Sequence, residues 1–140
     1  MMLKNPKLGL PVYIAVDELS SETENVYEAM WHYDVADAKI LDGVFVSKEI
    51  TQFVCGDTGE MTLVSGVTEP EMQGWICRTS KQKSEEPIPT VLHMVKGSNV
   101  RTVNVFALHT DGVCSVTGAM LDGDTLTLTY VDGSADKVSV

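Results

Sequence analysis

A chain of 140 residues and 15.2 kDa, 44% hydrophobic and 21% charged, has the composition of one folded domain and not of a disordered segment. Twenty acids against ten bases give a formal charge of −10, which excludes nucleic-acid binding through a general basic surface, because phosphate contacts need clustered Lys and Arg. No run approaches the roughly 18 apolar residues of a membrane span, so neither a membrane nor a nucleic acid is an expected partner.

The chain opens on a lysine-bearing stretch, Leu3 to Pro11, ahead of an acidic body. This predicts an N-terminal arm over residues 1–9, either a frayed end or a segment that docks on a neighbour through Lys4 and Lys7. Leu8 to Val16 is too short for a signal peptide, is broken by Pro11 and meets Asp17 without a small-residue cleavage site. Leu10 to Val16 reads as a strand. Ser21-Glu-Thr-Glu24 then has the form of a capping box, and Val26, Tyr27, Met30 and Trp31 follow at helical spacing. A short helix over about 22–32 is expected. The rival is a strand, since Tyr, Trp and Val also favour sheets.

Lys39–Leu41 and Val44–Val46 flank Asp42-Gly43, a hairpin signal, because Asp-Gly supplies the positive φ angles that tight turns require. Gln52–Cys55 and Met61–Val64 flank Gly56-Asp-Thr-Gly59, which reads as a second hairpin. Residues 1–77 hold 13 acids and 4 bases, whereas 78–140 hold 7 and 6. The border is the polar, proline-ended run at 78–89, expected to be a loop or linker. It divides an acidic mixed half, 10–77, from a half at 90–140 that reads as an antiparallel meander. Each half is small for a core of its own, which favours one sheet system over two subdomains.

In the second half Thr125 to Tyr130 alternates with a period of two, and Val113–Thr117 and Ala119–Leu121 are shorter strand signals. Val100 to Leu108 is apolar on both faces, Val103, Val105 and Ala107 on one and Phe106 and Leu108 on the other. That pattern belongs to a central strand or an oligomer contact, and Val103, Val105, Phe106 and Leu108 become contact candidates. Asp111-Gly112, Asp122-Gly123 and Asp132-Gly133 punctuate the region at regular intervals, as an antiparallel meander requires.

Chemical motifs are sparse. Asp57-Thr58-Gly59 matches the core triplet of aspartic proteases, in which paired Asp residues from two copies activate water. Cys55-Gly56 before it and Glu60 after it depart from that family's pattern, and Gly-Asp-Thr-Gly is also a natural turn. Asp122-Gly-Asp124 does not extend into a calcium loop, because the required Gly falls on Thr127 and the final Glu on Gly133. His32 with Asp34 and His109 with Asp111 have the residue types of a base and its orienter. Tyr27, Trp31, Tyr33 and Trp75 have the types of a core or an interface. Cys55, Cys77 and Cys114 are odd in number and far apart, which suits reduced thiols better than a disulfide framework. They form no zinc pattern with His32, His93 and His109, so no cofactor or metal is expected.

The segment Ser115-Val-Thr-Gly-Ala-Met-Leu-Asp-Gly-Asp-Thr-Leu-Thr-Leu-Thr-Tyr-Val-Asp-Gly-Ser134 resembles the short β modules of bacteriophage head-fibre and tail-fibre proteins. Bacterial immunoglobulin-like modules share this turn chemistry. The resemblance implies a β-rich subunit of an oligomeric virion, assembled in the host cytoplasm, and carries over no catalytic residue. The sequence therefore reads as a mainly β chain, an antiparallel hairpin or meander sandwich or barrel-like domain with one short N-terminal helix. Its expected role is that of a non-enzymatic structural protein, a capsid-decoration, head-fibre or tail component. Its expected partners are itself, as a homo-oligomer for which a trimer suits a fibre, and other virion proteins. The alternatives are a small bacterial ligand- or protein-binding module and a dimeric aspartic-protease-like enzyme using Asp57-Thr58-Gly59.

Overall fold

The computed structural model describes residues 1–4, 10–78 and 85–140. Lys7 and most of the expected arm, together with residues 79–84 of the expected loop, lie outside the described residues. The described residues form thirteen strands: β1 (Met2–Lys4), β2 (Pro11–His32), β3 (Lys39–Leu41), β4 (Val44–Val46), β5 (Ile50–Gly56), β6 (Glu60–Val64), β7 (Trp75–Cys77), β8 (Glu85–Pro87), β9 (Thr90–Thr110), β10 (Val113–Cys114), β11 (Val116–Asp122), β12 (Thr125–Tyr130) and β13 (Ala135–Ser139). All pairings are antiparallel. The main sheet runs β1-β2-β9-β5-β4-β3, with β6 and β10 also paired to β9, and does not close into a barrel. β11, β12 and β13 form a second sheet, and β7 with β8 a two-stranded ribbon that takes up the end of the expected 78–89 loop.

The expected helix over 22–32 is corrected: β2 is one strand of 22 residues. Tyr27, Ala29 and Trp31 are half-buried, while Val26, Glu28, Met30 and His32 are exposed, an alternation that belongs to a strand. Asn25 to His32 pair with Gly97 to Thr90 of β9, and this tertiary pairing overrides a local capping signal. The capping residues serve a bulge instead. Four residues of β2, 21–24, face the single Ser98 of β9 between Ser20↔Asn99 and Asn25↔Gly97. There the Ser21 hydroxyl donates to the Thr23 carbonyl, and Tyr27 Oη–H donates to Ser21 Oγ at 3.0 Å.

The hairpin expected at Gly56–Gly59 is corrected as well. β5 and β6 do not pair with each other: Ile50–Gly56 lie against Leu108–Thr102 of β9, and Glu60–Val64 lie further along β9, against Met94–Thr90. The two are one strand direction interrupted at the level where β2 bulges. Gly56 and Gly59 have φ of +82° and +50°. A Cβ on Gly56 would overlap the Arg101 carbonyl oxygen, and one on Gly59 the Met94 carbonyl oxygen.

These interruptions let the long strands fold over. Trp31 lies opposite Val91, fifteen positions from Phe106 along β9, yet the Trp31 and Phe106 rings meet edge-to-face at 4.9 Å. A straight strand would hold them roughly 50 Å apart. Inside the fold Tyr33 stacks on Phe45 at 4.1 Å, with Val91, Met61, Leu63, Ile50 and Phe106 around them. The buried Tyr33 hydroxyl donates to Gln52 Oε1 at 2.6 Å, and Gln52 Nε2 donates to Asn104 Oδ1 at 2.8 Å. Burial holds the Tyr33 phenol far above the usual range, so it stays a donor.

On the opposite face of the same β9 segment, Val103, Val105 and Ala107 pack with Val12, Ile14 and Cys55 beneath Val116, Leu126, Leu128 and Tyr130 of the second sheet. The Asp-Gly pairs at 111, 122 and 132 connect β9 to β10, β11 to β12 and β12 to β13. We expect Gly59→Ala to lower stability in urea unfolding by more than the roughly 1 kcal/mol of backbone strain alone. Gly133→Ala has positive φ but meets nothing within 4 Å, and should cost about 1 kcal/mol. Equal midpoint shifts would contradict the close approach at Gly59.

Candidate functional site

The structure sorts the sequence candidates. Asp57 sits in the strand interruption and not at a tight turn between paired strands. Its N–H donates to the Arg101 carbonyl at 3.0 Å, and the Arg101 N–H donates to Asp57 Oδ2 at 2.8 Å. The Thr58 carbonyl accepts from His93 Nε2 at 2.6 Å. Each polar group of this triplet that has a partner stitches the break to β9.

Neither His–Asp pair forms. His32 is exposed, and Asp34 accepts two hydrogen bonds from Arg78, at 2.8 and 2.6 Å. Arg78 also donates through Nε to Glu86 at 2.5 Å, so this cluster clasps β8 to the segment after β2. The Arg78 guanidinium holds the Asp34 carboxyl below the usual aspartate range. His109 donates from Nδ1 to the Lys48 carbonyl at 2.9 Å, and its Nε2 accepts from the Thr51 hydroxyl at 2.9 Å. Both ring nitrogens are thereby committed away from Asp111, which takes the turn with φ +52°. Asp124 is an ion-pair partner of Arg101 at 2.6 Å, and among the described residues no cluster of three or more His, Cys, Asp or Glu has metal-holding geometry.

Among the contact candidates, Val103 and Val105 are each 0% exposed. The second face of the Val100–Leu108 strand is covered by this chain's own C-terminal sheet, so these two valines are core and not an intermolecular surface. Phe106 and Leu108 are half-buried, and Phe106 belongs to the interior cluster with Trp31. Lys4 lies in β1, opposite Pro11.

Two features that sequence reasoning missed meet at β2. Beyond the β1 contact and the bond from the Ile14 N–H to the Met1 carbonyl, no strand among the described residues pairs with the outer side of β2. Alongside that edge Val16, Leu19, Val26 and Met30 are 39%, 38%, 63% and 51% exposed. A cavity of about 300 Å³ also lies against β2, lined by Asp17, Leu19, Tyr27, Ala29 and Trp31 of its inner face and by His93, Val95, Val100 and Thr102 of β9. His93 is 2% exposed, and with Nε2 donating to Thr58 its Nδ1 is left as an acceptor. Trp31 Nε1 is buried and has no partner among the described residues. The period-two pattern of residues 27–32 was the available signal for a strand. Its status as an edge follows from topology alone.

No family model matches the chain, and comparison with curated proteins and with solved structures finds no similar one.

Two predictions follow from these bonds. Asp57→Ala removes the acceptor for the Arg101 N–H and should cost about 1–2 kcal/mol, whereas Asp57→Asn keeps an acceptor and should cost less than about 1 kcal/mol, both read by urea unfolding. Because the folded-state pKa of Asp34 is depressed, its contribution is present above the ordinary aspartate value of 3.8 and is lost as pH falls through the lowered value. In Arg78→Gln the Asp34 carboxyl should titrate at a higher pH by carboxyl-detected NMR; an unchanged titration would remove the role given to Arg78.

Proposed function

We propose that this chain is a non-enzymatic structural subunit that works by assembly, a component of a phage virion such as a capsid-decoration, head-fibre or tail protein. The observation that carries the reading is an open sheet system with apolar side chains beside edges that pair with no strand among the described residues. Val26 and Met30 stand along β2, and Met120, 63% exposed, stands on β11. Long free edges with apolar neighbours are liabilities in an isolated subunit and contacts in an assembled one. The segment 115–134, whose rhythm resembles fibre modules, forms β11 and β12 with the turn into β13, and its position as an outer layer suits a presented surface. The net charge of −10 suits free subunits that stay apart until a specific contact forms.

A second reading, a small binding module, draws on the cavity beside β2. The protease-like reading has less support, since the Asp57 carboxylate already accepts the Arg101 main-chain N–H.

Sedimentation at micromolar concentration is expected to give a mass above 15.2 kDa that rises with concentration. A concentration-independent monomer would remove self-assembly. Lys4→Ala/Lys7→Ala, which keeps the β1 pairing, tests the arm: reduced incorporation into particles is expected, and unaltered incorporation would remove docking through these lysines.

A further inference from the structure

The outer edge of β2 and the cavity lie along the same strand. The cavity is lined by the inner-face residues Asp17, Tyr27 and Trp31, within a continuous stretch of β2 over residues 27–31. The inner edge of β2 is closed by hydrogen bonding to β9. At its outer edge backbone N–H and C=O groups face outward without a partner strand among the described residues.

The charge of this edge selects what can pair with it. Residues 8–38 contain no Lys or Arg, and β2 carries Asp17, Glu18, Glu22, Glu24 and Glu28. Lys96 pairs with Glu24 at 2.6 Å and Arg101 with Glu18 at 3.2 Å. Asp17, on the cavity face, and Glu28, on the opposite face, have no cationic partner among the described residues. A second copy of β2 pairing along the whole edge is a poor occupant: antiparallel pairing centred on Thr23 would set Glu18 against Glu28 and Glu22 against Glu24, and like charges directly opposite destabilise a strand pair.

We propose that the open edge of β2 between Ala15 and His32 is a strand-addition site for an extended segment of a partner protein carrying Lys or Arg at alternate positions. The proposal rests on the reading of this chain as an assembling subunit and names the chemistry of its partner. Main-chain hydrogen bonds to the edge give affinity, and alternate side chains give specificity. Every second residue of the added strand would project to the cavity side. A cationic head group there meets Asp17 and the aromatic rings of Tyr27 and Trp31, which favour cations over their faces; all three residues line the cavity.

The test uses the full chain with a synthetic peptide alternating Lys and Thr, and a control alternating Glu and Thr. Binding is followed by isothermal titration, and the site by amide hydrogen exchange. The expected result is binding of the Lys peptide with new protection at β2 amides in the 25–32 segment, no binding of the Glu peptide, and affinity about tenfold weaker in Asp17→Asn/Glu28→Gln. These side chains hold no partner among the described residues, so the variant is expected to fold. Binding without β2 protection, equal binding of both peptides, or undiminished binding to the double variant would overturn the proposal. Protection of β2 amides that appears with protein concentration alone, without peptide, would assign the edge to a second copy and also overturn it. Failure of the assembly reading is separately visible: a strict monomer that still binds the Lys peptide loses self-assembly but keeps this site, and an oligomer that ignores the peptide does the reverse.

Discussion

The whole structure hangs on one strand that is hydrogen-bonded on both sides and is too long for a flat sheet. β9 spans 21 residues, with β2 on one side and β5 followed by β6 on the other. Strands in globular proteins are mostly five or six residues long. A chain of this size cannot bury its apolar side chains against a ribbon of that length unless the ribbon folds over. The directions on both sides of β9 are interrupted at one level, β2 by four extra residues and the β5–β6 direction by a segment between two left-handed glycines, while β9 itself runs through. Arg101 occupies that level. Its main chain exchanges hydrogen bonds with Asp57, and its side chain reaches Glu18, Asp124, and the carbonyls of Gly123 and Val140. The bend and the attachment of the C-terminal sheet thus share one residue.

Folding over gives the two faces of the β9 C-terminal half different coverings. One face meets the other half of the same sheet, through Phe106 and Trp31. The opposite face meets β11 and β12, through Val103 and Val105. Hydrophobicity on both sides of a strand, which suggested a central strand or a contact with another chain, is accounted for within this chain, where β9 lies between β2 and β5. The polar side chains Gln52, Asn104 and Tyr33 are buried in the folded interior and linked to one another, with Asn104 Nδ2 left without a partner among the described residues. Beyond its pairing with β1, β2 has β9 on one edge and no strand on the other among the described residues.

Local chemistry was legible and tertiary choice was not. Asp-Gly turns at 42, 111, 122 and 132 announced hairpins, and the alternation of Thr125–Tyr130 announced a strand, because these signals are complete within a few residues. The segment 21–32 contained a helix signal and a strand signal together. What decided between them was β9, some seventy residues away in sequence. Gly56-Asp-Thr-Gly59 had the residues of a turn and does turn the chain, but into a break along β9, since the partner of each flanking strand is not the other. The acidity of the first half was plain from composition, whereas the edge that concentrates it appears only once the strand order is known.

That concentration has a physical logic. An edge strand needs something to stop it pairing indiscriminately, and charge and bulges are the usual devices. β2 has both, a four-residue bulge and five carboxylates, but it also keeps regular, unbulged backbone over 25–32 and exposed apolar groups at Val26 and Met30. An edge protected only against aggregation would gain from Lys as readily as from Glu, and the chain has ten bases to distribute. Here the charges are of one sign, and one of them, Asp17, lines a cavity walled by aromatic rings. Specificity is a difference between affinities. The same carboxylates raise the free energy of β2 against its own copy and lower it against a cationic strand, so a single set of side chains acts in both terms of that difference.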